Sequence, residues 1–568
     1  MDFKEVQYER PEFSVYKLQM TRWATELRAA EDAQTAVTVA GKMLDLFNAA
    51  QSQAMIASIR HSIDVNDAFY AAEDDYWNEY APQYADADTQ FLNAVVQSPF
   101  QEALGELFPQ PWIAAAKNQL RVNDPSVIKL RQRDNQLISQ YGRLIAEAQV
   151  PFNGGTYTLA QLGTSMSAAD RDTRRAASEA YWGFYAAHEA EIDAIYDEMV
   201  QVRTKMARQL GFADFSEMSY VFMNRFGYDE KMVADYRKEI REKVVPMVLK
   251  QRQKQARRLG LSKLAYYDLN VQFKSGNASP KGTADELVTT AQKMYHELSA
   301  ETGPFFDHMI NSNLLDLLAK KGKQTGGYAE YIPSIKSPFI FANFNGTSGD
   351  VDVLTHEAGH AFQTTMASWI KPGDAVFPTN EAAEIFSMSM EFIAYPWMKN
   401  FFKEDTDKYL YAHLQSALEF LPYGILVDHF QHEVYTHPDW TADERKACWR
   451  RLEKQYNPDK DYSENSDLER GIYWMRQAHI FEVPFYYLDY TIAQVVAYQF
   501  WKRFDVDHDE TAWPDYLRMA KAGGSQTLLQ LLQTGHMRSP FAPGALDDTL
   551  AAIGSALDAV DDQALDHE

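Results

Sequence analysis

Apolar residues recur every three to four positions through residues 13–150, the spacing of helices with one buried face. From Thr21 to Phe47 the stripe runs through Trp23, Leu27, Ala30, Val37, Ala40, Leu44 and Phe47, with polar Gln34 interrupting it. Breaks are expected near Pro82, Pro99, Pro109 to Pro111 and Pro125, because proline has no N–H for a helix. Residues 149–156 shift to a short strand and turn at Asn153-Gly154-Gly155. Helical spacing resumes at Ser167 and runs through Tyr181, Tyr185, Ile192, Tyr196 and Met199 to Leu210. Asn224 to Tyr228 marks a loop, and residues 231–259 read as a charged helix broken or kinked at Pro246. Strand-like sequence concentrates in Gly326 to Phe344, a small hairpin or sheet inside a helical protein. The paired Gly326-Gly327 permits close backbone approach, and a sheet edge there could take an extended peptide.

Composition sharpens this picture. The 568 residues contain only 27 Gly, which favours long helices over a turn-rich β fold. The formal charge of -25 argues against nucleic acid and against anionic membranes as partners. One cysteine, Cys448, excludes an internal disulfide and any thiolate metal cluster. No run approaches the ~18 apolar residues of a membrane helix; the stretch Phe481 to Ala497 is interrupted by Glu482, Pro484, Asp489 and Gln494. The start, Met1-Asp2-Phe3-Lys4-Glu5-Val6, has no apolar signal core, so a cytoplasmic protein is expected. The end, Asp547 to Glu568, carries seven acidic residues and no Lys or Arg, and reads as a solvated or frayed terminal helix. The basic run Lys250 to Arg258 reads as a solvated face. There is no fixed-period repeat, and nothing in the pattern specifies a monomer or a homo-oligomer.

The candidate chemistry follows the strand region directly. His356-Glu357-Ala358-Gly359-His360 places two histidines four residues apart, about 40° around a helix, so both imidazoles can reach one Zn²⁺. Glu357 stands beside them as a base for the attacking water. A catalytic zinc usually has three protein ligands. A third histidine in the longer His-Glu-x-x-His-x-x-Gly-x-x-His pattern is excluded, since those positions are Gln363 and Met366. The next helix, with Asn380 as its expected N-cap, offers Glu381, Glu384 and Glu391, and spacing alone does not choose among them. A second histidine group, His429, His432 and His437, is a poorer metal site. His432 and His437 are five apart, about 140° around a helix, and structural or cleft-lining roles fit better.

Several separated segments together resemble the thimet-oligopeptidase superfamily of zinc metallopeptidases, in its oligoendopeptidase F and Pz-peptidase branch. They are Lys321 to Tyr328, Phe344 to Thr347, His356 to His360, Glu384 to Glu391, Asp428 to His432 and His479 to Tyr487. The resemblance implies one Zn²⁺ per chain held by His356, His360 and Glu384, with Glu357 as general base and Glu391 orienting a ligating histidine. It implies that His479, Tyr487 and Tyr490 hold the oxyanion, and that Gly326, Gly327, Tyr328 and Tyr486 contact substrate. It implies a mostly α, bundle-like molecule whose small β-sheet lies beside a deep channel for short peptides. The expected division is an N-terminal helical lobe, residues 1–195, and a catalytic lobe, residues 196–568. The function so implied is zinc-dependent cleavage of internal bonds in oligopeptides. A zinc carboxypeptidase of similar fold is the alternative, distinguished by a cation for the free peptide carboxylate.

Overall fold

The computed structural model describes residues 2–561 and Leu565; Met1, 562–564 and 566–568 lie outside the described residues. The protein is mostly helical, as its pattern predicts, with two small sheets among the described residues. A hairpin of β1 (Val150–Phe152) and β2 (Gly155–Tyr157) forms at the expected turn. A second sheet contains β3 (Leu315–Leu318), β4 (Tyr328–Ile332) and β5 (Ser337–Phe344) in the order β3-β5-β4. Among the described residues, no helix is long and apolar enough to cross a membrane.

The chain forms two compact units. One comprises 1–121, 279–404 and 496–539, and the other comprises 122–278, 405–495 and 540–568. The expected boundary after residue 195 falls inside the helix Glu189–Gln209. Neither unit is one continuous stretch, because segments distant in sequence return to share each core. Local periodicity carries no record of that pairing.

In the first unit, the helices Phe13–Arg28, Ala33–Ile63 and Ala68–Val96 bury Met20, Leu27, Met43, Leu44 and Phe91 in a core that also takes Tyr331, Ala367, Ile370 and Val376. The stripe expected as one helix over 21–47 is two. Asp32 starts the second by accepting from the Thr35 amide at 2.8 Å, an N-cap. Pro82, expected as a break, lies inside Ala68–Val96. Both Pro82 and Asn78, whose carbonyl it leaves unpaired, face solvent.

β5 is buried along nearly its whole length, which explains its continuous apolar sequence. It pairs antiparallel with β4, from Tyr328 opposite Phe341 to Ile332 opposite Ser337, and parallel with β3. β4 is therefore an edge strand of this sheet. The loop before it is anchored by Lys323, whose buried Nζ donates to the Asp316 and Leu318 carbonyls at 2.9 and 3.0 Å. Asn343 donates to the carbonyls of Gln324 and Gly326 at 2.8 and 2.9 Å. β3 was not expected, since Leu-Asp-Leu-Leu is too short to announce a strand.

In the second unit, the long helix Thr406–Thr436 buries Leu418, Leu421, Ile425, Leu426 and Phe430. The helix expected over 231–259 is Glu230–Glu239 and Val245–Arg258, joined by a wide five-residue turn just before Pro246. The basic run is not simply solvated. Arg252 pairs with Glu419 and Asp459 at 2.9 and 3.1 Å, and buried Arg258 lies over the rings of Phe273 and Tyr411.

Candidate metal centre and active site

The first unit assembles the candidate metal centre from two helices, Gly349–Met366 and Asn380–Ile393. The first begins just after β5. Asp350 fixes that junction by accepting from the amides of Asn345 and Gly346 at 2.8 and 2.7 Å. Thr379, not Asn380, precedes the first turn of the second helix, and it makes no side-chain cap. The helices cross at Gly359. A Cβ there would lie 2.6 Å from the Phe386 carbonyl oxygen and 2.7 Å from the Ser387 Cα, so only glycine lets the helices approach this closely.

That approach brings the donor atoms together. His356, His360 and Glu384 each present one atom, all within 4.8 Å of one another. Glu384 Oε2 is 3.3 Å from His356 Nε2 and 3.4 Å from His360 Nε2. His356 Nδ1 donates to Glu391 Oε1 at 2.6 Å, which fixes the ring and leaves Nε2 as the electron-pair donor. Ser387 Oγ lies 2.9 Å from Glu384 Oε2 and holds that carboxylate. Of the three glutamates left open by spacing, Glu384 is the one that meets both histidines, and Glu391 stands behind His356.

The electrostatics suit a cation. Burial opposes a charge on His356, but Glu384 and Glu391 outweigh it and drive its proton affinity well above the ordinary value. Burial raises Glu384, yet His360 and His356 hold it well below the usual carboxylate range. A divalent ion at this point would replace the proton as the partner of the carboxylate. Two imidazoles and one carboxylate are a donor set that catalytic zinc uses. Glu357 is buried and its pKa is raised chiefly by that burial, as suits a group that takes up and gives back a proton. A Cβ on Gly327 would stand 3.8 Å from Glu357 Oε1, so the start of β4 adjoins the base. The Tyr328 ring turns onto its cross-strand neighbour Phe341, stacked at 4.9 Å.

The second unit gathers His479 with Tyr486, Tyr487 and Tyr490. The His479 ring centroid lies 4.7 Å from Tyr487, 6.1 Å from Tyr486 and 6.2 Å from Tyr490. All four are half-buried, whereas Phe481, Phe485 and Leu488 between them are fully buried. The tyrosines thus form the open face of the segment and are not core. Gln477 Nε2 is 2.9 Å from His479 Nδ1. Burial lowers the pKa of His479, keeping the ring neutral.

A family model described as peptidase family M3 matches residues 164–549, and a model of the M3 N-terminal domain matches residues 3–123. The chain belongs to peptidase family M3. Across the whole length it is similar to Pz peptidase A, solved with an inhibitor, at 44% identity and TM-score 0.93, covering 99% of this chain and 100% of that one. A candidate oligoendopeptidase F from Bacillus anthracis shares 43% identity at TM-score 0.87, over 99% of each chain. Oligoendopeptidase-F from Enterococcus faecium, 14% identical at TM-score 0.61 over 96% of this chain and 97% of that one, agrees in fold. A Mycoplasma genitalium oligoendopeptidase F homolog is 24% identical over 294 residues, 48% of this chain and 47% of its own. This chain therefore matches about half the length of that curated relative.

Beyond the M3 motifs, several residues act that spacing did not reveal. Phe485 has a φ of +69°, a costly backbone for a bulky side chain. Its N–H donates to Gln431 Oε1 at 2.9 Å, and its carbonyl accepts from Arg225 Nη2 at 2.7 Å. Arg225 also pairs with Asp489 at 3.0 Å. These buried groups set the bend from which Tyr486 and Tyr487 emerge. His432 packs its ring against Phe485 at 5.0 Å, and His429 Nδ1 meets the Tyr456 hydroxyl at 3.0 Å. His437 stacks on Trp440 at 4.4 Å. The second histidine group is thus scaffolding. Ser387 was available to sequence reading, lying three residues after Glu384; Gly359 and Gln431 carried no signal beyond their motifs.

Proposed function

We propose that this M3 chain is a zinc-dependent endopeptidase that hydrolyses internal bonds of short peptides. The observation that carries the reading is the convergence of His356, His360 and Glu384 beside buried Glu357, with Glu391 behind His356. When bound, zinc would polarise the scissile carbonyl and acidify the attacking water.

The chain's own residues supply the rest. Glu357 removes a proton from the attacking water and returns it to the leaving amine. The edge strand β4, which Gly327 directly precedes, aligns the peptide backbone by strand addition. His479, Tyr487 and Tyr490 donate hydrogen bonds to the oxygen that gains charge in the transition state. That last assignment is supported by the motif they share with the family, and by their grouping on one open face.

The test uses an internally quenched peptide blocked at both ends. Wild-type protein cleaves it, chelator stops cleavage, zinc restores it, and Glu357→Ala is reduced on the order of a thousandfold or more. Undiminished cleavage by Glu357→Ala would overturn the mechanism. Cleavage only of peptides with a free C-terminus would overturn the endopeptidase reading. Intact casein beside its short fragments tests the size limit.

A further inference from the structure

Within the first unit, the chain that joins β3 to β4, residues 319–327, has to cross the end of β5, because β5 lies between those strands. It crosses beside the candidate base. A Cβ on Gly327 would meet the Phe341 carbonyl oxygen at 3.4 Å, Val353 Cγ1 at 3.7 Å and Glu357 Oε1 at 3.8 Å. The β4–β5 ladder stops at Tyr328 opposite Phe341, and the same register continued would set Gly326 opposite Asn343. A side chain takes over at that point. Asn343 donates through Nδ2 to the carbonyls of Gln324 and Gly326 at 2.8 and 2.9 Å, which occupies both hydrogens of the amide. Buried Lys323 fills the place where the β3–β5 register shifts, its Nζ donating to the Asp316 and Leu318 carbonyls and to that of Ala342.

The other side of the crossing is held by the end of the N-terminal helix Ala33–Ile63. The Gln324 N–H donates to the Ser62 carbonyl at 2.9 Å, and Ser62 Oγ donates to Gln324 Oε1 at 2.7 Å. The Val65 N–H donates to the Gly322 carbonyl at 2.7 Å. Gly322 has a φ of +84°, and a Cβ there would lie 2.4 Å from Asn66 Nδ2, so the loop fits this helix end only with glycine. Helices far from the zinc motif in sequence thus reach the backbone that adjoins Glu357.

We propose that Asn343 and Ser62 are positioning residues for the peptidase reaction, clamping the Gly326–Gly327 backbone from its two sides so that it leads into β4 ready to receive a peptide. They set substrate affinity without touching substrate. The inference rests on the peptidase reading and on strand addition at β4. The clamping side-chain bonds run to the crossing loop, not to the helices that carry Glu357 and the metal donors. With the clamp cut, the loop samples conformations that do not accept the peptide, and binding has to reorder it. Apparent affinity then falls with the fraction of loop held in the competent form, while the chemistry of bound peptide is unchanged.

Asn343→Asp keeps the shape of the side chain and removes both donors. On the end-blocked quenched peptide its KM is expected to rise about tenfold, with kcat within about threefold of wild type and zinc content unchanged. Asn343→Gln, which returns an amide on a longer arm, falls between the two. Ser62→Ala removes one bond on the outer side, and its KM rises about threefold. A merely structural defect lowers the fraction of active enzyme, so it lowers kcat and leaves KM alone. That result, or wild-type kinetics in Asn343→Asp, overturns the clamp. Should Asn343→Asp fail to fold by circular dichroism, a raised KM in Ser62→Ala supports it and an unchanged KM overturns it. Calorimetric binding of the same peptide to Glu357→Gln, with and without Asn343→Asp, reads alignment without turnover. Binding about tenfold weaker in the double variant supports the clamp; equal affinity, or no binding in either, overturns it. If the zinc-loaded wild type cleaves no peptide, the peptidase reading fails, and this binding arm still decides the clamp.

Discussion

Two helices of this protein carry paired histidines among acids, and they do opposite things. On Gly349–Met366, His356 and His360 converge on Glu384, and the carboxylates pull protons onto His356. On Thr406–Thr436, His432 lies among Asp428, Glu230, Arg237 and Arg225, and its pKa falls to about 3, chiefly through burial. His429 falls to about 4 for the same leading reason. The buried Asp428, which alone would favour a cation, already faces Arg237 at 2.7 Å. Histidine proximity therefore does not make a metal site. What matters is whether the protein has already supplied the positive charge.

The comparison can be broken most sharply by removing one carboxylate from each group. Glu384→Ala should lose bound metal and reduce peptide cleavage by on the order of a thousandfold or more. Asp428→Ala should keep its metal but lose about 3–5 kcal/mol of stability, because Arg237 is left buried without its partner. Metal analysis beside urea unfolding reads both. Equal metal loss in the two variants would erase the distinction.

A smaller effect is expected behind the metal ligands. Glu391→Gln should weaken metal affinity by about 10–100-fold, since His356 loses the carboxylate that orients it. A competition titration with a chromogenic chelator measures this, and an unchanged affinity would deny Glu391 its role. On the scaffold helix, Gln431→Leu removes the acceptor of the Phe485 N–H. We expect kcat to fall by about tenfold, with metal content unchanged, as Tyr486 and Tyr487 lose their set position.

The smallest effect is a pH dependence. His429 and His432 are held neutral in the folded protein, with pKa values of about 4 and 3. Their unfolded value is about 6.5, so the unfolded state gains protons first as pH falls. The stability they leave intact above pH 6.5 is progressively lost as pH falls, to about 4 for His429 and to about 3 for His432. His432→Gln should therefore flatten the fall in melting temperature between pH 7 and pH 5 by a few degrees. An unaltered slope would argue that His432 is already protonated in the fold.

Much of the site was legible because its chemistry is local. His356, Glu357 and His360 sit on one helix, where four-residue spacing alone brings two rings together. Glu384 was one of three open choices by spacing, and the motif shared with the family singled it out. The decisive contact, at Gly359 and Phe386, joins helices whose crossing leaves no periodic trace. The fold class was legible for the same reason, since amphipathic spacing persists over long stretches. Its division was not, because the units interleave distant segments. Helix ends were the least legible. Asp32 starts a helix inside an apolar stripe whose spacing reads as one helix despite Gln34, and Pro82 sits inside a helix where it and Asn78, four residues earlier, are exposed.

One measurement reaches the central claim most directly: the number of zinc ions held per chain after exhaustive dialysis, for wild type, His360→Ala and His432→Ala. One ion in the wild type, one in His432→Ala and none in His360→Ala is the expected result. Two ions in the wild type, or one retained by His360→Ala and lost by His432→Ala, would contradict the assignment of the two histidine groups.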